Sequence, residues 1–430
     1  MRVAFYLNTP RAWTWPAFLE GELGLSGTDA QVLRTADQLA RREGIEVLLI
    51  ERAQTSAHPH IHSVQVESEI RAVDVARREK VSVLIFNNRG AALTRPLIEA
   101  CERTGQMAVV WDHNGPNDEV ADMIADAATV KRLVCVSNAQ CDQLRHHRVF
   151  DKTEYIYNSV DPEFFAPGER ERDSKRVVFV GYVGLTKGFH VLAAAWPAVR
   201  AAVPDASLHV LGSAELYEDR ARLGPLGVAA NEFEQRYIAP HLGDSREACA
   251  ALGVQFHGLV SPKRIRDELQ VAAIGVVNPN SHTSTETFCV SAIEVQAHAV
   301  AVVGGRAGGL RETIRAGQTG LLVRNERELA AALIGLLQDP QRAAAMGRRG
   351  RRFVEEAFAP GRNTDRWLQL LHAATRGESP LPPRLRLASL NGRILVREAL
   401  RRGARVPWVG ERLPSIATLQ RLLSSLRPRR

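Results

Sequence analysis

The sequence predicts an α/β protein built from two successive parallel-sheet units. Three observations carry that prediction. Short apolar runs alternate with longer stretches of helical period through most of the chain, which is the pattern of strand and crossover helix in a parallel sheet. The alternation is interrupted near the middle by Asn158 to Phe165 and the polar stretch Pro167 to Lys175, and then resumes as a second series. At 430 residues the chain has the length of two or three domains, so each unit can bury its own core.

In the first half the strand candidates are Val3 to Leu7, Val47 to Ile50, Val83 to Phe86, Ala108 to Trp111, Leu133 to Val136 and Tyr155 to Tyr157, with helical stretches between most of them. The second series comprises Val177 to Val180, Leu208 to Leu211, Val254 to His257, Ile274 to Val277 and Val300 to Val303. Helical signals resume from Glu326 to Leu337 and from Gln341 to Phe358, break at Pro360, and return from Asn363 to Thr375. The expected organisation is therefore two Rossmann-like domains, 1–165 and 166–360, a helix at 361–375, and a tail at 376–430.

Composition narrows the function. Apolar residues make up 45% of the chain and no run approaches a membrane span. Met1 to Leu7 is a short strand cut off by Asn8, Thr9 and Pro10, which is not the long apolar region of a signal peptide. Five scattered cysteines, Cys101, Cys135, Cys141, Cys249 and Cys289, lack metal-ligand spacing and fit a reduced cytoplasmic setting. The net charge of +8 is concentrated at one end. From Arg376 onward there are 13 arginines, no lysine and three glutamates, a local charge of +10, so the body is near neutral. A nucleic-acid enzyme spreads basic and aromatic residues over its working face; this tail has one aromatic, Trp408. Nucleic acid is not an expected partner.

Two carboxylates stand out. Glu286 and Glu294 follow the apolar run Ile274 to Val277 in the order strand, loop, helix start. Eight helical steps climb ~12 Å in a little over two turns, so the pair can grip both ends of an elongated ligand. A nucleotide sugar has that shape, its diphosphate lying near the N–H groups of Thr287 and Phe288 that a helix start leaves unpaired. The stretch continues with Val300, Val302 and Val303 as a strand, a glycine-rich turn from Gly304 to Gly309, then Leu310-Arg311-Glu312-Thr313-Ile314 and Gly317 to Val323. Taken in order, this resembles the paired-glutamate motif of family 4 retaining glycosyltransferases, whose GT-B fold sets two Rossmann-like domains face to face.

Other segments extend the resemblance. Gly181-Tyr182-Val183-Gly184-Leu185-Thr186-Lys187-Gly188 follows a strand and opens a helix, where a lysine and freed N–H groups suit a diphosphate. It is similar to the family's Gly-Arg-Leu-x-x-x-Lys-Gly, with Tyr182 where an arginine usually helps bind diphosphate. His113, in Asp112-His113-Asn114-Gly115-Pro116 at the carboxyl end of a strand, resembles the first-domain histidine that contacts the transferred sugar. Gly24-Leu25-Ser26-Gly27-Thr28 resembles the family's first glycine loop, with Gly27 the better candidate for close approach to phosphate. Gly258-Leu259-Val260-Ser261-Pro262 resembles the loop that receives the base through main-chain groups, and Asn158-Ser159-Val160-Asp161 resembles the Asn-Gly-Val-Asp interdomain crossing, with Ser159 in place of glycine. In the family the helix at 361–375 returns to the first domain. Ala299 and Ala301 stand where glycine and proline are usual, so a shifted helix end is expected there. No Asp-x-Asp pair and no Gly-x-Gly-x-x-Gly is present, which disfavours metal-dependent sugar transferases and dinucleotide oxidoreductases.

The resemblance implies transfer of a sugar from a nucleoside diphosphate sugar to a hydroxyl acceptor, with retention of configuration and no metal or other cofactor. The implied catalytic residues are His113, Glu286 and Lys187. The implied donor-binding residues are Gly27, Tyr182, Lys187, Leu259, Val260, Thr287, Phe288 and Glu294, with Glu294 on the ribose. The alternatives are a nucleotide-sugar epimerase or phosphorylase of the same fold, or a non-catalytic nucleotide-sugar-binding subunit, to which Tyr182 gives weight. Acceptor information is expected between Arg11 and Leu23, around Trp13 and Trp15. For the tail two readings stay open. Its arginines, beside a stripe of Ile416, Leu419, Leu422, Leu423 and Leu426 with Arg421 and Arg427, can meet an anionic membrane at the inner face of the cell membrane, which favours a lipid-linked acceptor; or its helices pack on protein.

Overall fold

The structure, a computed structural model, describes residues 1–9, 12–53, 55–216, 222–281, 286–385 and 392–404. The first sheet has seven parallel strands: β1 (Arg2–Leu7), β2 (Glu46–Glu51), β3 (Ile61–Gln65), β4 (Val83–Asn87), β5 (Ala108–Asp112), β6 (Val130–Cys135) and β7 (Thr153–Tyr155), in the order β3-β2-β1-β4-β5-β6-β7. The second has six: β8 (Arg176–Val180), β9 (Ser207–Leu211), β10 (Val254–Gly258), β11 (Ile274–Val277), β12 (Ala301–Gly305) and β13 (Gly320–Val323), in the order β10-β9-β8-β11-β12-β13. Both sheets are wholly parallel and covered by helices on both faces. That is why β4, β5 and β11 are buried at every position rather than alternating.

Each sheet reverses its winding beside its first strand, between β1 and β4 and between β8 and β11. Chain leaving adjacent strands there diverges to opposite faces and opens a crevice at their carboxyl ends. The carboxyl ends of the two sheets face one another, and the connections between the domains run through Asn158 to Asp161 and through Phe358, whose carbonyl accepts from Val160 N at 3.1 Å. The Pro360–Thr375 helix has Pro360 at its first turn, where a missing N–H costs nothing. It buries Trp367 in the first domain's core, edge-on to Trp111 at 4.7 Å.

The candidate at Tyr155 to Tyr157 is observed earlier, as Thr153–Tyr155, and two strands, β3 and β13, have no counterpart among the strand candidates. β3 presents one fully buried residue, Ile61, too little apolar signal to stand out as a strand. β13 lies within the Gly317 to Val323 stretch and has only four residues, Gly320–Val323. Trp13 and Trp15 are core residues, 3% and 1% exposed, with Trp13 Nε1 donating to Glu51 at 3.1 Å; the cleft is lined instead by Phe18, Leu19, Gly21 and Leu23 of the same segment. Part of the tail is seen. The helix Gly392–Ala404 packs on the first domain, whereas Trp408 and the stripe from Ile416 to Arg427 lie outside the described residues.

Candidate functional site

A cleft of about 710 Å³ lies between the carboxyl ends of the two sheets, and all ten candidate residues line it: Gly27 and His113 from the first domain, Tyr182, Lys187, Leu259, Val260, Glu286, Thr287, Phe288 and Glu294 from the second. The switch-point topology explains the convergence. β8 runs into the loop that carries Lys187, and β11 runs into Asn278 and the loop that carries Glu286.

Glu286 is 5% exposed and its carboxylate is held from two sides. Lys187 Nζ lies 2.6 Å from Oε2, and Asn278 Nδ2 donates to the same oxygen at 2.7 Å. The glycine-rich turn after β12 makes this possible. Gly309 N donates to Glu286 O at 2.8 Å, and a Cβ on Gly308 would stand 2.1 Å from that oxygen, so only residues without a side chain let the two loops stack.

Glu294 sits inside the Val290–Ala297 helix. Desolvation pushes its carboxyl above the usual range, and the Arg34 guanidinium pulls it back. Arg34 belongs to the Gly27–Ala40 helix of the first domain and donates to Ser159 O at 2.9 Å; Gln31 exchanges two further bonds with Ser159. The interdomain crossing is thereby fixed to the helix that faces Glu294. A Cβ on Gly27 would meet nothing within 4 Å, so this helix start opens onto free space in the cleft.

His113 is 6% exposed, and neither ring nitrogen has a hydrogen-bond partner. Burial lowers its pKa to about 3, so it is neutral at physiological pH, beside Asn158. A buried imidazole at the wall of a cleft, with the Asn158 side chain as its polar neighbour, is set up to meet a polar ligand. Its neighbour Asp112 is fully buried and accepts from Asn88 Nδ2 at 2.9 Å and Gln140 Nε2 at 2.7 Å. Desolvation raises its carboxyl to about 6 against these donors and the N–H groups of Asn114 and Gly115. Asp112 thus holds the turn that presents His113.

One expectation is corrected. The helix starts at Val290, with Cys289 at the N-cap in the left-handed region at φ 73°. Thr287 and Phe288 precede it, so their N–H groups belong to a loop rather than to a helix start, and the Phe288 side chain is core, packed on Tyr157 and Phe358. Thr287 instead bridges the domains, its Oγ1 donating to His113 O. Sequence reasoning did not single out Asn278, Arg34 or Arg89, and read Asn158 only as part of the interdomain crossing; all four line the cleft, and of the three missed residues Asn278 alone carried a local signal, as a polar residue ending an apolar strand. Arg89 pairs with Asp29.

The contacts across the cleft continue on both flanks. Lys263 N donates to Gly21 O at 2.8 Å and Lys263 Nζ lies 3.1 Å from Glu22. On the other flank Glu312, in the short helix Leu310–Thr313, accepts from Asn138 N (3.1 Å), Ala139 N (2.7 Å) and the Tyr157 hydroxyl (2.7 Å). Among the described residues one group has metal-ligand character, His209, His257 and Glu268. It lies outside the cleft lining; the imidazoles bond each other at 3.1 Å, and Arg176 and Arg264 occupy the carboxylate.

Residues 174–339 match the family model described as glycosyl transferases group 1. The chain is 32% identical over 215 residues to a GDP-mannose-dependent alpha-(1-6)-phosphatidylinositol monomannoside mannosyltransferase of Mycolicibacterium smegmatis, a match covering 47% of this chain and 51% of that protein. The chain thus spans about half the length of that relative. It is 26% identical to a D-inositol 3-phosphate glycosyltransferase of Rhodococcus opacus, covering 86% of this chain and 92% of the relative. Among solved structures it resembles sucrose-phosphate synthase from Thermosynechococcus elongatus, with TM-score 0.66, 17% identity, and 88% and 100% of the two chains covered. It also resembles Anabaena HepE in complex with UDP-glucose, with TM-score 0.62, 15% identity, and 87% and 100% covered. The fold is the GT-B arrangement of two facing parallel-sheet domains.

Proposed function

We propose that this chain, whose residues 174–339 form a group 1 glycosyltransferase domain, transfers a sugar from a nucleoside diphosphate sugar to a hydroxyl acceptor with retention of configuration. The observation that carries the reading is the meeting of Lys187, Glu286 and Glu294 at the second domain's switch point, with neutral His113 facing them. When the donor binds, Lys187 turns from Glu286 to the diphosphate and offsets the charge that grows on it as the glycosidic bond breaks. Glu286, still held by Asn278, takes the sugar hydroxyls; Glu294 takes the ribose; His113 contacts the sugar from the opposite wall. The departing phosphate accepts the acceptor's proton, so no protein base is required, and no metal is assigned. The relatives' names favour a GDP- or UDP-linked donor and an inositol- or lipid-linked acceptor.

A thermal-shift panel over nucleoside diphosphates, run in excess EDTA and followed by donor hydrolysis and transfer assays, tests this. One base stabilises the protein by ~2.7 kcal/mol at a hundredfold excess over its dissociation constant, and turnover survives the chelator. Loss of turnover with rescue by Mg²⁺ or Mn²⁺ overturns the metal-free mechanism. Binding without hydrolysis or transfer returns the chain to a binding subunit, the reading that Tyr182 keeps in view.

A further inference from the structure

The described part of the tail is strapped to the first domain and turns one face outward. Glu378 O accepts from Arg132 Nη2 at 2.7 Å and Pro383 O from Arg145 Nη2 at 3.0 Å. The helix Gly392–Ala404 is then locked by Glu398, 6% exposed, which meets Arg145 at 3.4 Å and Arg401 and Arg402 at 2.9 Å each. Arg397 adds a bond to Asp142 O at 3.0 Å. The only acid of this helix is therefore turned inward. Its exposed positions are Gly392, Arg393, Leu395, Val396, Ala399 and Arg402, with Leu395 and Val396 52% and 51% exposed and nearby Leu381 85% exposed.

We propose that this outward face docks on an anionic lipid surface. Two large apolar side chains flanked by arginines, with no exposed acid, form the pattern of a helix lying in a membrane interface, and its charge complements an anionic leaflet. The sequence from 405 to 430 supplies six further arginines against one glutamate, so the attraction is not confined to one turn. No helix among the described residues is long and apolar enough to cross a membrane. The helix sits on the Asn138–Leu144 helix, whose start meets Glu312 at the domain boundary, so the surface is held by the same domain that presents His113 to the cleft. The inference does not depend on the transferase reading, because binding is measured without donor.

The full chain is co-sedimented with phosphatidylcholine vesicles and with vesicles that also contain phosphatidylglycerol. Binding is expected to the anionic vesicles and to weaken with salt. The double variant Leu395→Asp, Val396→Asp is expected to lose more than about tenfold in affinity, and Arg393→Gln about fivefold, the share of one arginine at an anionic surface. Unaltered melting confirms that the outward substitutions leave the fold intact. Equal binding to neutral and anionic vesicles, or a double variant that binds like the parent, overturns the proposal. So does a parent that ignores vesicles but changes from dimer to monomer on the double substitution, which would assign the face to a second copy of the chain.

Discussion

Replacing Glu312 with alanine removes one carboxylate that accepts three hydrogen bonds from the opposite domain. Bonds to a charged partner contribute ~1.5–3 kcal/mol each, and the two N–H groups lie at the positive end of the Asn138–Leu144 helix, which adds ~0.3–1 kcal/mol. The three share one side chain and water replaces part of the loss, so the variant is expected to lose ~3 kcal/mol of domain docking, about a hundredfold in the closed-to-open ratio. The helix itself should survive, because its own cap, Ser137 Oγ to Gln140 N at 3.1 Å, is untouched. Glu312→Gln keeps one of the two acceptor oxygens, loses the charge and turns an NH2 toward a donor, so it should lose ~2 kcal/mol, less than the alanine variant. Small-angle scattering on the free protein is expected to show a larger radius of gyration for the alanine variant, with a raised donor KM. A scattering profile, KM and melting curve all equal to the parent's would refute the idea that Glu312 latches the domains.

Glu294→Gln should weaken nucleoside diphosphate binding by roughly ten- to a hundredfold, read by calorimetry; unchanged affinity removes Glu294 from the site. Burial raises the Glu51 carboxyl to about 7, opposed by the Trp13 N–H and the Ser63 hydroxyl. A carboxyl raised above its unfolded value contributes stability below the unfolded pKa and loses it as pH rises through 7. The parent should therefore lose on the order of 3 kcal/mol between pH 4.5 and 8 relative to Glu51→Gln, and parallel urea-denaturation profiles would exclude this. Ala299 adopts φ 55°, a left-handed conformation costly for a residue with a Cβ, so Ala299→Gly should stabilise by ~0.5–1 kcal/mol, and a lower melting temperature would contradict it.

How much was legible follows from the range of the interactions. Central strands such as β4 and β11 announce themselves as apolar runs because burial on both faces leaves no polar positions. Edge strand β3, with Ile61 alone fully buried, does not. Glu286, Lys187 and His113 were found through short motifs in the loops that follow strands, and Glu294 through its spacing from Glu286 into the next helix. The start of the Glu294 helix was misplaced because Cys289 caps it through a left-handed backbone, without a side-chain bond, and no composition signals that geometry. Arg34 beside Glu294, and Glu312 on the start of another domain's helix, are pairings across more than a hundred residues; one sequence carries no record of such distances. The helix ends at Ala297 and is followed by left-handed Ala299.

In the cleft the cations are answered by anions: Lys187 by Glu286, Arg34 by Glu294 and Asp161, Arg89 by Asp29. On the proposed function, an arriving diphosphate would not meet a field of bare positive charge; it would have to take Lys187 away from a carboxylate that keeps a second donor in Asn278. Binding becomes an exchange of partners rather than a neutralisation. Inorganic phosphate, which offers Lys187 a charge but gives Glu286 nothing in return, completes only half of that exchange. On the same reading a nucleotide sugar would complete it, its hydroxyls occupying the carboxylate from which its phosphate has drawn the cation. On the proposed function, the Lys187–Glu286 salt bridge would thereby select against small anions such as phosphate.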